Sequence, residues 1–212
     1  RSIEFMTRED VEIAAQGLYI HRPMGHGLGA IHQDGDPTCL RHADHFRQGI
    51  FPHHLIPRMG ELGIFGAHID GYGCAGIGSV AYGLIMQELE RADSGYRSFA
   101  SVQSSLAMTA IYLFGTEDQR KFYLPDMAKG TTLGCFALTE ADHGSDPSGM
   151  NTLATRSGKG FVLNGSKMWI TNAGISKVAV VWAYFEGSIR AFLVDMSLEG
   201  VSVQDIKNKL SM

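Results

Sequence analysis

Cysteine is scarce in this sequence: three residues, Cys39, Cys74 and Cys135, stand far apart among 212. An odd number at such spacing argues against a disulfide framework and favours a reducing compartment, where these side chains are expected to be thiols of the core. Long apolar runs are missing too, since no window holds the ~18 consecutive apolar residues of a membrane helix. The sequence therefore predicts a protein without a membrane span.

A large excess of charge of either sign is also lacking. Eighteen Lys and Arg against 22 Asp and Glu give a formal net charge of -4, and no block of basic residues occurs. This balance argues against nucleic acid as the main partner. Apolar residues make up 44% and charged residues 19% of the chain, which is typical of a folded globular protein. Residues 1–5, ahead of Met6, lack the pattern of a signal or transit peptide and are interpreted as added residues.

Helical spacing of apolar residues dominates the first 130 positions. A capping arrangement predicts a short helix over residues 7–17, whereas residues 21–57 hold seven of the nine histidines and four of the six prolines and leave little room for helix. Further helices are predicted at about residues 56–62, 80–92 and 96–115, with one more after a capping box at Thr116 and Gln119. The helix after residue 96 carries almost no charge and should be buried on nearly all sides.

After Gly130 the apolar pattern changes to alternation. Strands are predicted at residues 152–155, 161–163, 167–171, 178–185, 189–194 and 201–206, with turns at residues 157–160 and at Asn164-Gly165. This pattern predicts an antiparallel meander. We therefore predict an α+β protein with an N-terminal all-helical domain over residues 1–130. An antiparallel β-barrel or sandwich domain follows over residues 131–212 and is incomplete at its C-terminal end.

Two motifs have an ordinary explanation. Gly71-Tyr-Gly-Cys-Ala-Gly76 fits G-x-G-x-x-G, and Asp93 lies twenty residues after Gly73. The motif stands between helices rather than after a strand, so it predicts a helix-to-helix turn rather than a dinucleotide site. The histidines, including His42 and His45, are joined by no carboxylate or cysteine at ligand spacing, and no metal site is predicted.

Arg97 stands at the start of the uncharged helix, beside Ser98 and Ser101. Two interpretations remain open. The guanidinium could pair with a helix carbonyl or with Glu90 or Asp93, or it could bind a substrate carboxylate through two charge-assisted hydrogen bonds.

Two further segments carry polar groups at the ends of predicted strands. Residues 136–145 run from an apolar strand into a Gly-Ser-Asp loop, which is either a simple turn or a loop that holds a phosphate or the edge of a heterocycle. Alternation places Trp169 and Thr171 on one strand face, as an aromatic plane beside a hydroxyl or as part of the core.

Taken together, these segments resemble the acyl-CoA dehydrogenase family, and most closely its glutaryl-CoA dehydrogenase branch. The resemblance covers about residues 56–212, and Ser-Gly-Tyr-Arg-Ser at residues 94–98 supports the branch. The matching stretches are residues 59–63, 71–76, 88–98, 101–106, 115–120, 123–125, 128–130, 138–140, 144–146 and 169–172. Residues 7–55 show no such resemblance, and Ala141 and His143 replace a usual proline and a usual small residue.

The resemblance implies a flavoprotein that uses FAD, with a helical N-terminal domain, a middle β domain and a C-terminal helical bundle absent from this chain. It implies a homotetramer when full length, electron-transfer flavoprotein as acceptor, and a mitochondrial matrix or bacterial cytoplasmic location. The catalytic glutamate is expected beyond residue 212. No catalytic residue is therefore expected within the chain, which should be inactive alone.

The resemblance also implies roles for individual residues. Arg97 and Ser98 are expected to hold a distal carboxylate of the substrate, Ser145 to touch both cofactor and acyl-CoA, and Thr171 to lie at flavin N5. Expected cofactor contacts are Phe136, Ala137, Leu138, Thr139, Gly144, Ser145, Trp169, Ile170 and Thr171.

The implied reaction is α,β-dehydrogenation of an acyl-CoA thioester, here glutaryl-CoA with decarboxylation to crotonyl-CoA, a step of lysine and tryptophan degradation. The alternatives are a short-chain acyl-CoA dehydrogenase without decarboxylation, or a truncated, non-catalytic flavin-binding fragment.

Overall fold

The computed structural model describes residues 5–6, 13–23, 54–158 and 160–206. Its helices are α1 (Leu55–Glu61), α2 (Ser79–Ala92), α3 (Ser94–Ser101), a π-helical segment (Val102–Met108), α4 (Thr109–Phe114) and α5 (Glu117–Ala128). Within the described ranges, no helix is both long and apolar enough to cross a membrane.

Local sequence signals set the helix ends. The predicted capping box opens α5: the Thr116 hydroxyl accepts from the Gln119 amide at 3.3 Å, and the Gln119 side chain accepts from the Thr116 amide at 2.8 Å. Between α2 and α3, the Asp93 carboxylate accepts from the amide of Gly95 at 2.6 Å. The helices predicted before and after these caps are confirmed.

The predicted central helix is confirmed over Ser94 to Phe114, but its burial differs from expectation at three positions. Its middle is π-helical, and the Thr109 hydroxyl donates to the Ser104 carbonyl at 2.9 Å there. Leu106, Leu113 and Phe114 are 40%, 56% and 41% exposed. All other residues of this helix are buried or half-buried in the described chain, so the expectation of burial on nearly all sides holds except at these three positions.

The strands form one mixed sheet. They are β1 (Phe5–Met6), β2 (Ile13–Pro23), β3 (Gly134–Ala137), β4 (Leu153–Ser157), β5 (Gly160–Lys167), β6 (Val178–Phe185), β7 (Ser188–Asp195) and β8 (Val201–Ile206). Their order is β1-β7-β6-β4-β5-β2-β8, with β3 beside β6. Only the pairs β4–β5 and β6–β7 are antiparallel, and the others are parallel. The α+β prediction is confirmed, whereas the wholly antiparallel meander is wrong.

Two local predictions are also wrong. Asn164 and Gly165 lie within β5 instead of forming a turn, because pairing with β4 continues through Leu153 opposite Asn164. The helix predicted over residues 7–17 is replaced by β2 from Ile13 onward, where the backbone pairs with β5 and β8. The rest of that predicted helix, residues 7–12, lies outside the described residues.

Strand β6 lies between two apolar clusters. Val178 and Val180 belong to the cluster formed with the helices, and Ala179 and Val181 belong to the cluster inside the curled sheet. Alternation along one strand therefore brings helices and sheet into contact on opposite faces.

Gln103, a fully buried side chain of the π-helical segment, fastens the sheet to the helices. Its amide nitrogen donates to the carbonyls of Met127 at 3.1 Å and Thr132 at 3.0 Å, and its oxygen accepts from the Gly134 amide at 2.7 Å. These bonds fix the start of β3 and hence the segment that follows it.

Candidate functional site

The two segments expected to border a flavin lie side by side. The Met168 amide donates to the carbonyl of Thr139 at 2.9 Å. One residue earlier in each segment, the Lys167 ammonium donates to the Leu138 carbonyl at 3.0 Å. The end of β5 is thereby held against the loop that follows β3. Trp169 is the next residue after Met168, so its backbone lies close to Thr139.

A buried ion pair stands behind this contact. Lys167 is 0% and Glu140 5% exposed, and the Lys167 ammonium lies 2.8 Å from a carboxylate oxygen of Glu140. The same carboxylate accepts from the amides of Asn151 at 2.6 Å and Thr152 at 2.9 Å and from the Thr152 hydroxyl. The ion pair thus joins the loop after β3 to the entry of β4 and the end of β5.

The protonation of the pair follows from these contacts. Burial alone would raise the pKa of Glu140, but the donors from Lys167, Thr152 and Asn151 outweigh it and hold the pKa at about 2. Burial lowers the pKa of Lys167 from its ordinary value, against the opposing effect of Glu140. Glu140 is therefore a carboxylate at neutral pH, with its oxygens already occupied.

Trp169 occupies an unusual backbone position. The predicted strand over residues 167–171 is wrong, because β5 ends at Lys167 and the chain turns there. Trp169 has φ +62° and is 51% exposed, while Ile170 is buried. A bulky residue in the left-handed region is strained by roughly 1–3 kcal/mol, and such positions cluster at functional sites. Trp169 is a surface aromatic plane rather than a core residue.

The turn after Trp169 is fastened to α3. Asn172, with φ +70°, donates from its side-chain amide to the Phe99 carbonyl at 3.3 Å. Phe99 follows Ser98 directly, so the helix carrying Arg97 and Ser98 contacts the turn that carries Thr171. Expected substrate contacts and expected cofactor contacts are thereby neighbours in the structure.

The expected cofactor contacts differ in exposure. Ala137 and Ile170 have buried side chains and offer only backbone groups. Gly144, Ser145 and Trp169 are exposed, whereas Phe136, Leu138, Thr139 and Thr171 are half-buried.

Arg97 pairs with Glu90 in the structure. Its Nε donates to a Glu90 carboxylate oxygen at 2.6 Å, and the two side chains are 38% and 48% exposed. Of the two interpretations of Arg97, the internal partner is therefore present. Because the pair is open to solvent, the Arg97 guanidinium remains accessible to a second partner.

The glycine-rich motif, the potential metal ligands and the cysteines are the other candidates in the sequence. Gly71 to Gly76 form a turn between α1 and α2, so the element that directly precedes the glycines in the described chain is a helix and not a strand. No group of three potential metal ligands occurs among the described residues, and His42 and His45 lie outside them. Burial raises the pKa of the Cys74 thiol to about 11 and that of Cys135 to about 12, which makes both poor nucleophiles. Cys39 lies outside the described residues.

Sequence reasoning missed Lys167. Along β5 the buried side chains Phe161 and Leu163 alternate with more exposed ones, and the same alternation places Lys167 on the inward face. A lysine at an inward strand position requires a buried partner, and this register was the signal that could have revealed it.

Comparison with known protein families gives two matches along this chain. The acyl-CoA dehydrogenase N-terminal domain matches residues 37–131, and the middle domain of the same family matches residues 135–212. The first match begins well before residue 56, so the expectation that residues 7–55 lie wholly outside the resemblance is wrong.

Individual relatives show the same relationship. A probable acyl-CoA dehydrogenase of Bacillus subtilis is 34% identical over 179 residues, 81% of this chain and 47% of that protein. The human mitochondrial short-chain specific acyl-CoA dehydrogenase is 33% identical, over 78% of this chain and 42% of that protein. The crystal structure of a glutaryl-CoA dehydrogenase from Mycobacterium smegmatis in complex with FADH2 is 51% identical with a TM-score of 0.74, over 76% of this chain and 42% of that one.

The chain spans less than half the length of these relatives. Within that span, both domain matches run in the family's order along one polypeptide. The chain therefore belongs to the acyl-CoA dehydrogenase family, with sequence matching that family's N-terminal and middle domains.

Proposed function

We propose that the protein containing this chain oxidises an acyl-CoA thioester at its α and β carbons with FAD, and that its substrate is glutaryl-CoA, which it also decarboxylates to crotonyl-CoA. The observation that carries the proposal is the contact between Thr139 and Met168, which sets the Leu138–Thr139 loop beside the exposed ring of Trp169.

The residues at this contact fit a flavin. An isoalloxazine is a flat tricycle with one polar edge, so it requires an aromatic or apolar plane and several hydrogen-bonding groups. Trp169 offers the plane. Within the described part of the chain, no hydrogen bond engages the hydroxyls of Thr139 or Thr171, and both lie next to the Trp169 turn. When bound, the flavin supplies the two-electron oxidation.

The base that removes the α proton is assigned to none of the described carboxylates of this site. Glu140 is the nearest acid in sequence to Thr139, but it is buried and accepts from four donors. A carboxylate that is already paired and has a pKa of about 2 is a poor general base at neutral pH. We propose that another carboxylate of the full-length protein acts as the base.

Arg97 supports a dicarboxylate substrate. Its guanidinium stands on α3, beside Ser98 and within one turn of the bond that joins α3 to Asn172. In the substrate complex the Arg97 guanidinium would bind the distal carboxylate, either while it still contacts Glu90 or in place of Glu90. The Ser98 hydroxyl would be a second donor. The similarity to the glutaryl-CoA dehydrogenase of M. smegmatis supports this choice, whereas the human short-chain relative supports the alternative of a substrate without a second carboxylate.

Anaerobic mixing of the full-length protein with glutaryl-CoA tests the proposal, and we expect the absorbance of oxidised flavin to disappear. Arg97→Gln should lower kcat/KM for glutaryl-CoA by roughly 30-fold or more, because a desolvated carboxylate that loses its partner costs ~2–5 kcal/mol. Butyryl-CoA oxidation should change little. Arg91→Gln, at an exposed pair with Glu88 on α2, is the matched control.

Two outcomes would refute the proposal in different ways. Bleaching by butyryl-CoA but not by glutaryl-CoA, or oxidation of glutaryl-CoA without release of carbon dioxide, would favour a short-chain acyl-CoA dehydrogenase. If the protein binds flavin but neither thioester bleaches it, the non-catalytic flavin-binding alternative is favoured instead. Electron-transfer flavoprotein as acceptor and a homotetramer when full length remain parts of the same proposal, as does a place in the mitochondrial matrix or bacterial cytoplasm.

A further inference from the structure

The ion pair of Lys167 and Glu140 has a role beyond stability. We infer that these two residues are positioning residues of the candidate flavin site, which aim the peptide between Leu138 and Thr139 at the ligand. The ligand part of this inference rests on the proposed function, whereas the positioning of the peptide does not.

The contacts of Lys167 are complete. Its ammonium has three protons, and the structure gives it three partners: the Leu138 carbonyl at 3.0 Å, the Glu140 carboxylate at 2.8 Å and the Met150 sulfur at 3.8 Å. Glu140 in turn accepts from the backbone and side chain at the entry of β4. The side chain of Lys167 therefore has one arrangement, and the Leu138 carbonyl is one of the groups that define it.

Because the Leu138 carbonyl is held by Lys167, the direction of the Thr139 N–H is fixed as well. The Leu138 carbonyl and the Thr139 amide belong to one planar trans peptide and point in opposite directions. Since the carbonyl points at the Lys167 ammonium, the Thr139 N–H points away from the ion pair. The next carbonyl, that of Thr139, is held by the Met168 amide at 2.9 Å. The two peptide planes on either side of Thr139 are therefore both held in place.

Stability alone does not explain a pair of this kind. Buried ion pairs are often replaceable by apolar residues without loss of stability, because desolvation offsets their attraction. A leucine or methionine at position 167 could fill the space, but it could not donate to the Leu138 carbonyl. The ammonium also polarises the peptide whose N–H it aims, which makes that N–H a better donor to the negative charge that a reduced flavin carries.

Two variants of the full-length protein separate positioning from stability. Lys167→Met leaves Glu140 buried without its counter-charge and should unfold at lower temperature. Lys167→Met combined with Glu140→Gln removes both charges and should recover much of that loss. We expect the double variant still to bind FAD at least tenfold more weakly, and to show a more negative flavin midpoint potential, because the Leu138 carbonyl has no donor in either variant.

Lys177→Met is the matched control. Lys177 also donates to a backbone carbonyl just before β3, that of Thr131 at 2.8 Å, but at the exposed surface. It should leave FAD affinity and midpoint potential unchanged. A double variant with wild-type affinity and potential, or an equal effect of Lys177→Met, would overturn the inference.

A measurement without flavin distinguishes this inference from the proposed function. In the flavin-free protein, hydrogen exchange of the Met168 amide should speed up in the double variant. The indole NMR signal of Trp169 should shift while that of Trp182 stays. If the wild type binds no flavin but these changes occur, the proposed function fails and the positioning role stands. If Met168 exchange and the Trp169 signal are unchanged, the positioning role is wrong whatever the protein binds.

Discussion

The acid stability of this protein should depend strongly on Glu140. Burial disfavours its charge, yet its four donors hold the pKa at about 2 in the folded protein, against an ordinary value of 4.5. A carboxyl group whose pKa is lowered by folding contributes stability above its unfolded pKa, and the contribution is lost as pH falls toward the folded pKa. The difference corresponds to about 3 kcal/mol at neutral pH, of which about 2 kcal/mol is lost between pH 5 and pH 3.

Urea unfolding of wild type and Glu140→Gln, followed by circular dichroism from pH 7 to pH 3, measures this contribution. At pH 7 the variant should be less stable by roughly 3–5 kcal/mol, because the Lys167 ammonium remains buried without a counter-charge. On acidification the wild type loses the stability that the variant never had. The difference in unfolding free energy between the two proteins should therefore shrink by about 2 kcal/mol at pH 3.

Glu61→Gln provides the control for this experiment. Glu61 pairs with Arg58 at 2.8 Å, but both side chains are well exposed, at 64% and 65%. Solvent screens such a pair, so its removal should change the pH dependence little. The reasoning is refuted if Glu140→Gln differs from wild type by the same amount at pH 3 as at pH 7, or if Glu61→Gln flattens the acid limb equally.

Three further substitutions test the packing that supports the site. Gly130 has φ +74° and a Cβ there would lie 2.9 Å from the Phe65 ring, whereas Gly187 has φ +76° with open space. Gly130→Ala should therefore destabilise by about 2 kcal/mol or more and Gly187→Ala by about 1 kcal/mol in thermal unfolding; equal effects would contradict the packing. Gln103→Leu should cost about 1–3 kcal/mol and speed hydrogen exchange of the Gly134 amide, which loses its acceptor. Unchanged exchange at Gly134 would contradict the role given to Gln103.

Local patterns predicted most of the elements because their causes are local. The capping box at Thr116 needs only neighbours in sequence, and strand β6 coincides with its predicted range because six of its eight residues are β-branched or aromatic. The direction of strand pairing depends on elements far apart in the chain, so local alternation predicts an antiparallel meander where the structure has parallel pairs. Asn164-Gly165 shows the same limit, since pairing with β4 overrides its preference for a turn.

The resemblance proposes a site at the Leu138–Thr139 loop and the Trp169 turn, and the structure brings these two segments together, but local patterns predict their shape only in part. Alternation predicts Trp169 and Thr171 on one strand face, whereas the chain leaves the sheet at Lys167 and turns. The positive φ of Trp169 cannot be predicted from local residue preferences, because tertiary contacts impose it. Lys167 carried a signal in the register of β5, yet its partner Glu140 is distant in sequence, and only the fold brings the two charges together.

Strand β6 contributes side chains to both apolar clusters of this protein. Its buried even-numbered residues pack against the helices and its buried odd-numbered residues pack inside the curled sheet. A change in the size of one side chain therefore shifts a backbone that supports both clusters. The helical half and the β half should consequently melt as one cooperative unit rather than in sequence, and a cavity made beneath one of them should loosen the other.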